Sequence, residues 1–123
     1  PRDPVQRMKD PAGRQAWLLR EDEVLAAIEV ADTFGARARG LLGRDGVEGA
    51  LLLQPAKSVH TIGMRFPIDV AFCDRYGFVM HAVTMKPRRV SRPVWRSYFT
   101  IEAPVGSFER WKLQLGDVVE VKG

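Results

Sequence analysis

Apolar residues recur along this chain in short runs with a two-residue period, cut by glycine, proline and acidic turns. Successive side chains of a strand point to opposite faces, so that period marks strands with one buried face. Residues 15–20 place Trp17 and Leu19 on one face. Glu21, Asp22 and Glu23 form a turn, and Val24, Ala26, Ile28 and Val30 then alternate. The two runs predict a hairpin. Asp32 or Thr33 next caps a helix, with Phe34, Ala38, Leu41 and Leu42 on its apolar face and Arg37, Arg39 and Arg44 outward or at its C-terminal end. Residues 50–54 read as a short buried strand stopped by Pro55.

The second half repeats the strand pattern more clearly. In residues 68–73, Ile68, Val70 and Phe72 share one face and Asp69, Ala71 and Cys73 the other. Asp74-Arg75-Tyr76-Gly77 turns the chain into a partner strand over 78–85. There Val79, His81 and Val83 share a face, opposite Phe78, Met80, Ala82 and Thr84. Trp95, Ser97, Phe99 and Ile101 predict a strand ending at Glu102. Ser107 caps a short helix through 113, with Phe108 and Trp111 inward, and Gly116-Asp117 leads into a last strand over 118–121. The expected fold is mainly β (α+β), a small rolled or barrel-like antiparallel sheet with one main helix and one short helix. Residues 1–13, broken by Pro4, Pro11 and Gly13, are expected to be a flexible tail, and 14–123 a single globular domain.

Composition narrows the class. With 123 residues and 46% apolar content the chain suits one folded core rather than disorder. The net charge of +4 is compatible with anionic partners without naming one. A single cysteine excludes an internal disulfide, so the cytoplasm is expected, or a secreted or periplasmic location if a leader precedes Pro1. No apolar run is long enough for a membrane span.

The chemistry-bearing residues concentrate in one run, 58–74, which holds His60, Thr61, Met64, Phe66, Asp69 and Cys73. A carboxylate inside an apolar strand needs partners. Asp69 either accepts backbone N–H bonds from the preceding loop and holds it, or serves a site. Two constellations offer chemistry: Asp69, His60 and Glu102 as an acid–base set, and Cys73 with His60 as nucleophile and base. Downstream, Lys86, Arg88, Arg89, Arg92 and Arg96 surround Pro87, Pro93 and Trp95. They are anion-binding candidates or a solvated, proline-stiffened loop, and no nucleic-acid fold signature accompanies them. The paired spacings of a metal site are absent, as are the Walker lysine and the nucleophile elbow. Neither a metal nor a cofactor is expected.

The order His60-Thr61, Met64, Pro67, Asp69, Phe72 resembles the central motif of a prokaryotic family catalogued as domain of unknown function 192. Val30-Ala31-Asp32-Thr33 with Arg39-Gly40-Leu41-Leu42-Gly43-Arg44 upstream resembles a second segment of that family. So do Ile101-Glu102-Ala103-Pro104-Val105-Gly106 and Gly116-Asp117 downstream. Many members carry Trp-Met-Lys-Asn-Thr where this chain has Ile62-Gly63-Met64-Arg65-Phe66, so an indole and an amide are missing here. The resemblance implies a compact, mainly β domain and no particular reaction.

The function expected is therefore a non-enzymatic binding module, its cleft lined by His60, Thr61, Met64, Phe66, Asp69 and Glu102. Its partner would be a small molecule, a saccharide or a peptide. A small hydrolase using Asp69, His60 and Glu102 is the alternative. Binding of an anionic surface or nucleic acid through residues 86–96 is a third reading, with nucleic acid not favoured.

Overall fold

Two adjacent residues in the left-handed region, Glu21 (φ 49°) and Asp22 (φ 68°), turn the chain between β1 (Arg14–Arg20) and β2 (Glu23–Ala31). That geometry matches the right-handed twist of a tight hairpin. The computed structural model describes residues 14–31 and 50–123. The tail expected over 1–13 and the capped helix expected from Asp32 onward, with Arg37, Arg39 and Arg44, lie outside the described residues.

After the hairpin come β3 (Ala50–Leu53), β4 (Ile68–Cys73), β5 (Val79–Met85), β6 (Phe99–Pro104), the helix α1 (Ser107–Trp111) and β7 (Glu120–Lys122). The seven strands form one sheet in the order β5-β4-β6-β3-β2-β1-β7. Most neighbours are antiparallel, but β2 and β3 run parallel. The sheet is thus mixed and open, not the antiparallel barrel-like roll expected from the period. Among the described residues α1 is the only helix.

β4 and β6 lie inside the sheet and are covered on both faces, so all six residues of β4 are buried and Asp69, Thr100 and Glu102 are enclosed among apolar neighbours. One face carries Leu18, Ile28, Leu52, Ala71, Ile101 and Ala103 against Phe108 of α1. The other carries Leu51, Ile68, Val70, Phe72 and Met85, covered by Val59 and Met64 from the loop before β4. Each is a core in its own right, so β4 and β6 are sandwiched between two apolar layers.

Three local expectations change for physical reasons. A bulge between Leu18 and Leu19 breaks the alternation of β1, so both leucines are buried and Trp17 is exposed. A second irregularity sets Cys73 opposite Val79, so Val79 moves to the α1 face, while His81 and Val83 stay together opposite Phe72 and Val70. Trp95 is not in a strand. Ser97 N–H donates to the Val94 carbonyl at 2.9 Å, and the turn this closes leaves the indole 74% exposed. β6 begins only at Phe99.

The segment ahead of β7 ties the ends of the strand order together. Val119 N–H donates to the Gly77 carbonyl and Val79 N–H to the Asp117 carbonyl, while β7 itself pairs with β1. Gly77 adopts φ 90°, and a Cβ there would fall on the Val119 carbonyl oxygen. Only glycine allows that approach.

Candidate functional site

Asp69 is held by backbone. It projects from β4 onto the α1 face, where its Oδ2 accepts the N–H groups of Gly106 at 3.0 Å and Phe108 at 3.2 Å. Its Oδ1 accepts the Thr84 hydroxyl at 2.8 Å. The carboxylate thus supplies the cap that opens α1. Ser107, expected to do so, makes no cap bond, and Gly106 occupies the N-cap position in the left-handed region. The loop that Asp69 holds is the one after β6, not the one before β4.

Glu102 lies on the other face. In the β4–β6 ladder Asp69 stands opposite Ala103 and Val70 opposite Glu102. One residue of offset puts two side chains on opposite sides of a sheet. Asp69 and Glu102 are therefore separated by the sheet itself, and the acid–base set with His60 is not assembled. His60 is exposed, and an isolated bridge joins it to Val90. The Cys73–His60 pairing fails as well. Cys73 is buried in the α1-side core, and burial pushes its thiol up to about 12, so it stays protonated and is no nucleophile.

Glu102 itself has unusual surroundings. It is buried between Leu51 of β3 and Val70 of β4, and burial raises its carboxyl to about 7. Two residues back on the same face, the buried hydroxyl oxygen of Thr100 has no hydrogen-bond partner among the described residues. No bond from a described residue reaches the Glu102 carboxyl.

Thr61 organises the remaining part of the central motif. Fully buried, its hydroxyl donates to the Lys86 carbonyl at 2.6 Å and accepts the Arg89 N–H at 2.8 Å. Its own N–H donates to the Arg89 carbonyl at 2.7 Å, and its carbonyl accepts the Arg88 N–H at 3.0 Å. Residues 86–89 are thereby wrapped around one threonine. Arg88 is held at φ 63°, a conformation that a non-glycine residue keeps only when its surroundings impose it.

That turn and the central motif enclose a shallow pocket of about 470 Å³, lined by Met64, Arg65, Lys86, Pro87, Arg88 and Arg89. Met64 is buried in the second core and, with Pro87, supplies the apolar part of the wall; the other four residues are basic. Of the residues expected to line a cleft, Met64 does so. Thr61 supports the wall from behind, and Phe66 packs against the second core. Of the anion-binding candidates, Arg88 and Arg89 line the pocket, whereas Arg92 and Arg96 do not. Lys86, at the head of the same basic run, lines the pocket as well. Arg65 is the lining residue that the sequence pattern does not single out; its signal is a cation next to Met64 inside the central motif. Among the described residues no group of three or more His, Cys, Asp or Glu is placed to hold a metal ion.

The DUF192 family, described as Uncharacterized ACR, matches residues 17–121. The chain belongs to the DUF192 family. A UPF0127 protein of Pyrococcus abyssi is 32% identical over 98 residues, covering 76% of this chain and 84% of its own length. A UPF0127 protein of Pyrococcus horikoshii is likewise 32% identical over 98 residues, covering 76% and 85%. Among solved structures, a protein of unknown function from Novosphingobium aromaticivorans superposes with a TM-score of 0.69 at 16% identity, covering 98% of this chain and 99% of the other. One from Sinorhizobium meliloti described as a putative transcription regulator gives 0.70 at 18%, covering 87% and 92%. At such identity these two structures show that the DUF192 fold is shared, and nothing of what each protein does. No helix among the described residues of this DUF192 chain is long and apolar enough to cross a membrane.

Proposed function

We propose that this DUF192 protein is a binding module whose ligand presents an anionic group to the Met64–Arg89 pocket. The observation that carries this is the run of basic side chains Lys86, Arg88 and Arg89 on one turn beside Met64 and Pro87, with no acidic residue in the lining. A turn carrying three cations makes a positive patch that an anion relieves. The turn that presents them is fixed before any ligand arrives, because Thr61 bonds to it at both ends and Arg88 is held left-handed. A fixed site loses less entropy on binding than a mobile one. Planar guanidinium groups suit phosphoryl or carboxylate oxygens, and Met64 with Pro87 offers an apolar surface for the rest of a small molecule.

The test is calorimetric titration with pyrophosphate and with citrate over a series of salt concentrations. Arg88→Gly removes one cation at a backbone position glycine accepts, so the fold is kept while affinity falls roughly tenfold. Unchanged affinity in Arg88→Gly overturns the assignment. So does tight binding of a neutral saccharide or peptide with no salt dependence. A salt slope corresponding to many phosphate contacts would replace the small ligand by nucleic acid.

A further inference from the structure

The two loops that cover the second core are laced into a ribbon of their own, in which residues 57–61 run antiparallel to 89–94. Thr61 N–H donates to the Arg89 carbonyl at 2.7 Å, Ser91 N–H to the Val59 carbonyl at 2.8 Å and Val94 N–H to the Lys57 carbonyl at 2.7 Å. Val59 and Val94 pack inward on the second core. His60 and Val90 stand opposite each other on the outer side, both exposed. Lys57 Nζ donates to the carbonyls of Trp95 at 2.7 Å and Ser97 at 3.3 Å, which fixes the backbone that carries the indole.

Large apolar side chains project from these loops into water: Ile62, Val90 and Trp95 are 55%, 66% and 74% exposed. The same loops present Lys86, Arg88, Arg89, Arg92 and Arg96, all exposed and none in an ion pair with a described residue. Residues 54–68 and 86–101 hold seven Lys and Arg and no Asp or Glu, whereas the whole chain is only +4, so the rest of the molecule is net negative. Exposed apolar groups set among charges of one sign mark an interaction surface. Nucleic acid would engage the cations and stack on Trp95, but it offers no hydrocarbon to Ile62 and Val90. An anionic bilayer meets both needs, with phosphate headgroups for the cations and an interface that suits an indole and aliphatic side chains. We propose that this ribbon docks on anionic lipid bilayers, with Ile62, Val90 and Trp95 entering the interface and the surrounding cations on the headgroups. Lys86, Arg88 and Arg89 serve both surfaces, but Ile62, Val90, Arg92, Trp95 and Arg96 lie outside the lining of the Met64–Arg89 pocket.

The experiment is co-sedimentation of the full chain with vesicles of phosphatidylcholine, alone or mixed with phosphatidylglycerol, at low and high salt. The chain is expected to pellet with the mixed vesicles, to be released as salt rises and to ignore phosphatidylcholine alone. Its tryptophan emission shifts to the blue on the mixed vesicles. Trp95→Ser loses that shift and weakens binding roughly tenfold. Arg92→Gln weakens it roughly fivefold. Both positions are exposed and outside the basic pocket, so the urea melts and the pyrophosphate affinity of these variants stay those of the parent. Equal pelleting with the two kinds of vesicle overturns the proposal, as does full binding by Trp95→Ser. Tighter binding of a DNA duplex than of the mixed vesicles would put nucleic acid in place of the bilayer. A chain that binds pyrophosphate but pellets with neither vesicle keeps its pocket and loses its docking surface.

Discussion

The carboxylate of Asp69 accepts the backbone N–H of Gly106 at 3.0 Å, across 37 residues of sequence. With the Phe108 amide and the Thr84 hydroxyl it completes a clamp that fixes the start of α1 to the middle of the sheet. Asp69→Ala strands two backbone donors and is expected to lower stability by about 3 kcal/mol. Asp69→Asn keeps one acceptor oxygen and should cost less than Ala. Urea melts of the three proteins decide this, and an Ala variant as stable as the parent would show that the clamp contributes nothing.

Thr61→Val keeps the shape of a buried side chain and deletes its hydroxyl. The Lys86 carbonyl and the Arg89 amide then lose a partner, for a cost of about 2 kcal/mol. The cations of the basic pocket would also lose their fixed spacing, so pyrophosphate affinity should fall although no charge is removed. A variant that is destabilised yet binds with full affinity would confine Thr61 to a role in stability.

Burial lifts the Glu102 carboxyl to about 7 in the folded chain, from 4.5. Between those values the folded state holds a proton that the unfolded state has released. The contribution is fully present below about pH 4.5 and is lost as pH rises to about 7, amounting to roughly 3 kcal/mol over that range. Stability measured from pH 4.5 to 8 in parallel for the parent and Glu102→Gln is expected to separate as pH rises from about 4.5 to about 7 and to stay apart above that, with Gln gaining on the parent. Parallel curves would show that the carboxyl is solvated.

Gly77→Ala places a methyl group against the Val119 carbonyl and requires φ 90° of a residue that resists it. The expected loss is about 2 kcal/mol. Gly116→Ala is the control, since that glycine shares the backbone angle but has open space at its Cβ position. Equal losses in the two variants would assign the cost to backbone strain alone.

How much of this was legible in the sequence depended on the range of the interaction involved. The strand from Ile68 to Cys73 and its hairpin with β5 follow from neighbours in sequence, and they form where the period places them. The parallel pairing of β2 with β3 is not encoded by any period, because alternation identifies a strand without naming its partner. The same limit hid the separation of Asp69 from Glu102, which is set by a single step of register between β4 and β6. Ser107 looked like the cap of α1 on local grounds, but the cap arrives from another strand. The basic pocket was half visible: Arg88 and Arg89 stood out as charges, while the role of Thr61 in shaping their turn required tertiary contacts.

Arg20, at the exit of β1, bonds to the Trp111 carbonyl at 2.7 Å, the Lys112 carbonyl at 3.1 Å and the Asp117 carboxylate at 3.1 Å. During synthesis Arg20 leaves the ribosome more than ninety residues before these partners do. Until then Leu18 and Leu19 have neither β7 nor α1 beside them. The outer edge of that hairpin is thus among the last parts of the sheet to gain its native neighbours, although β3 can pair with its inner edge much earlier.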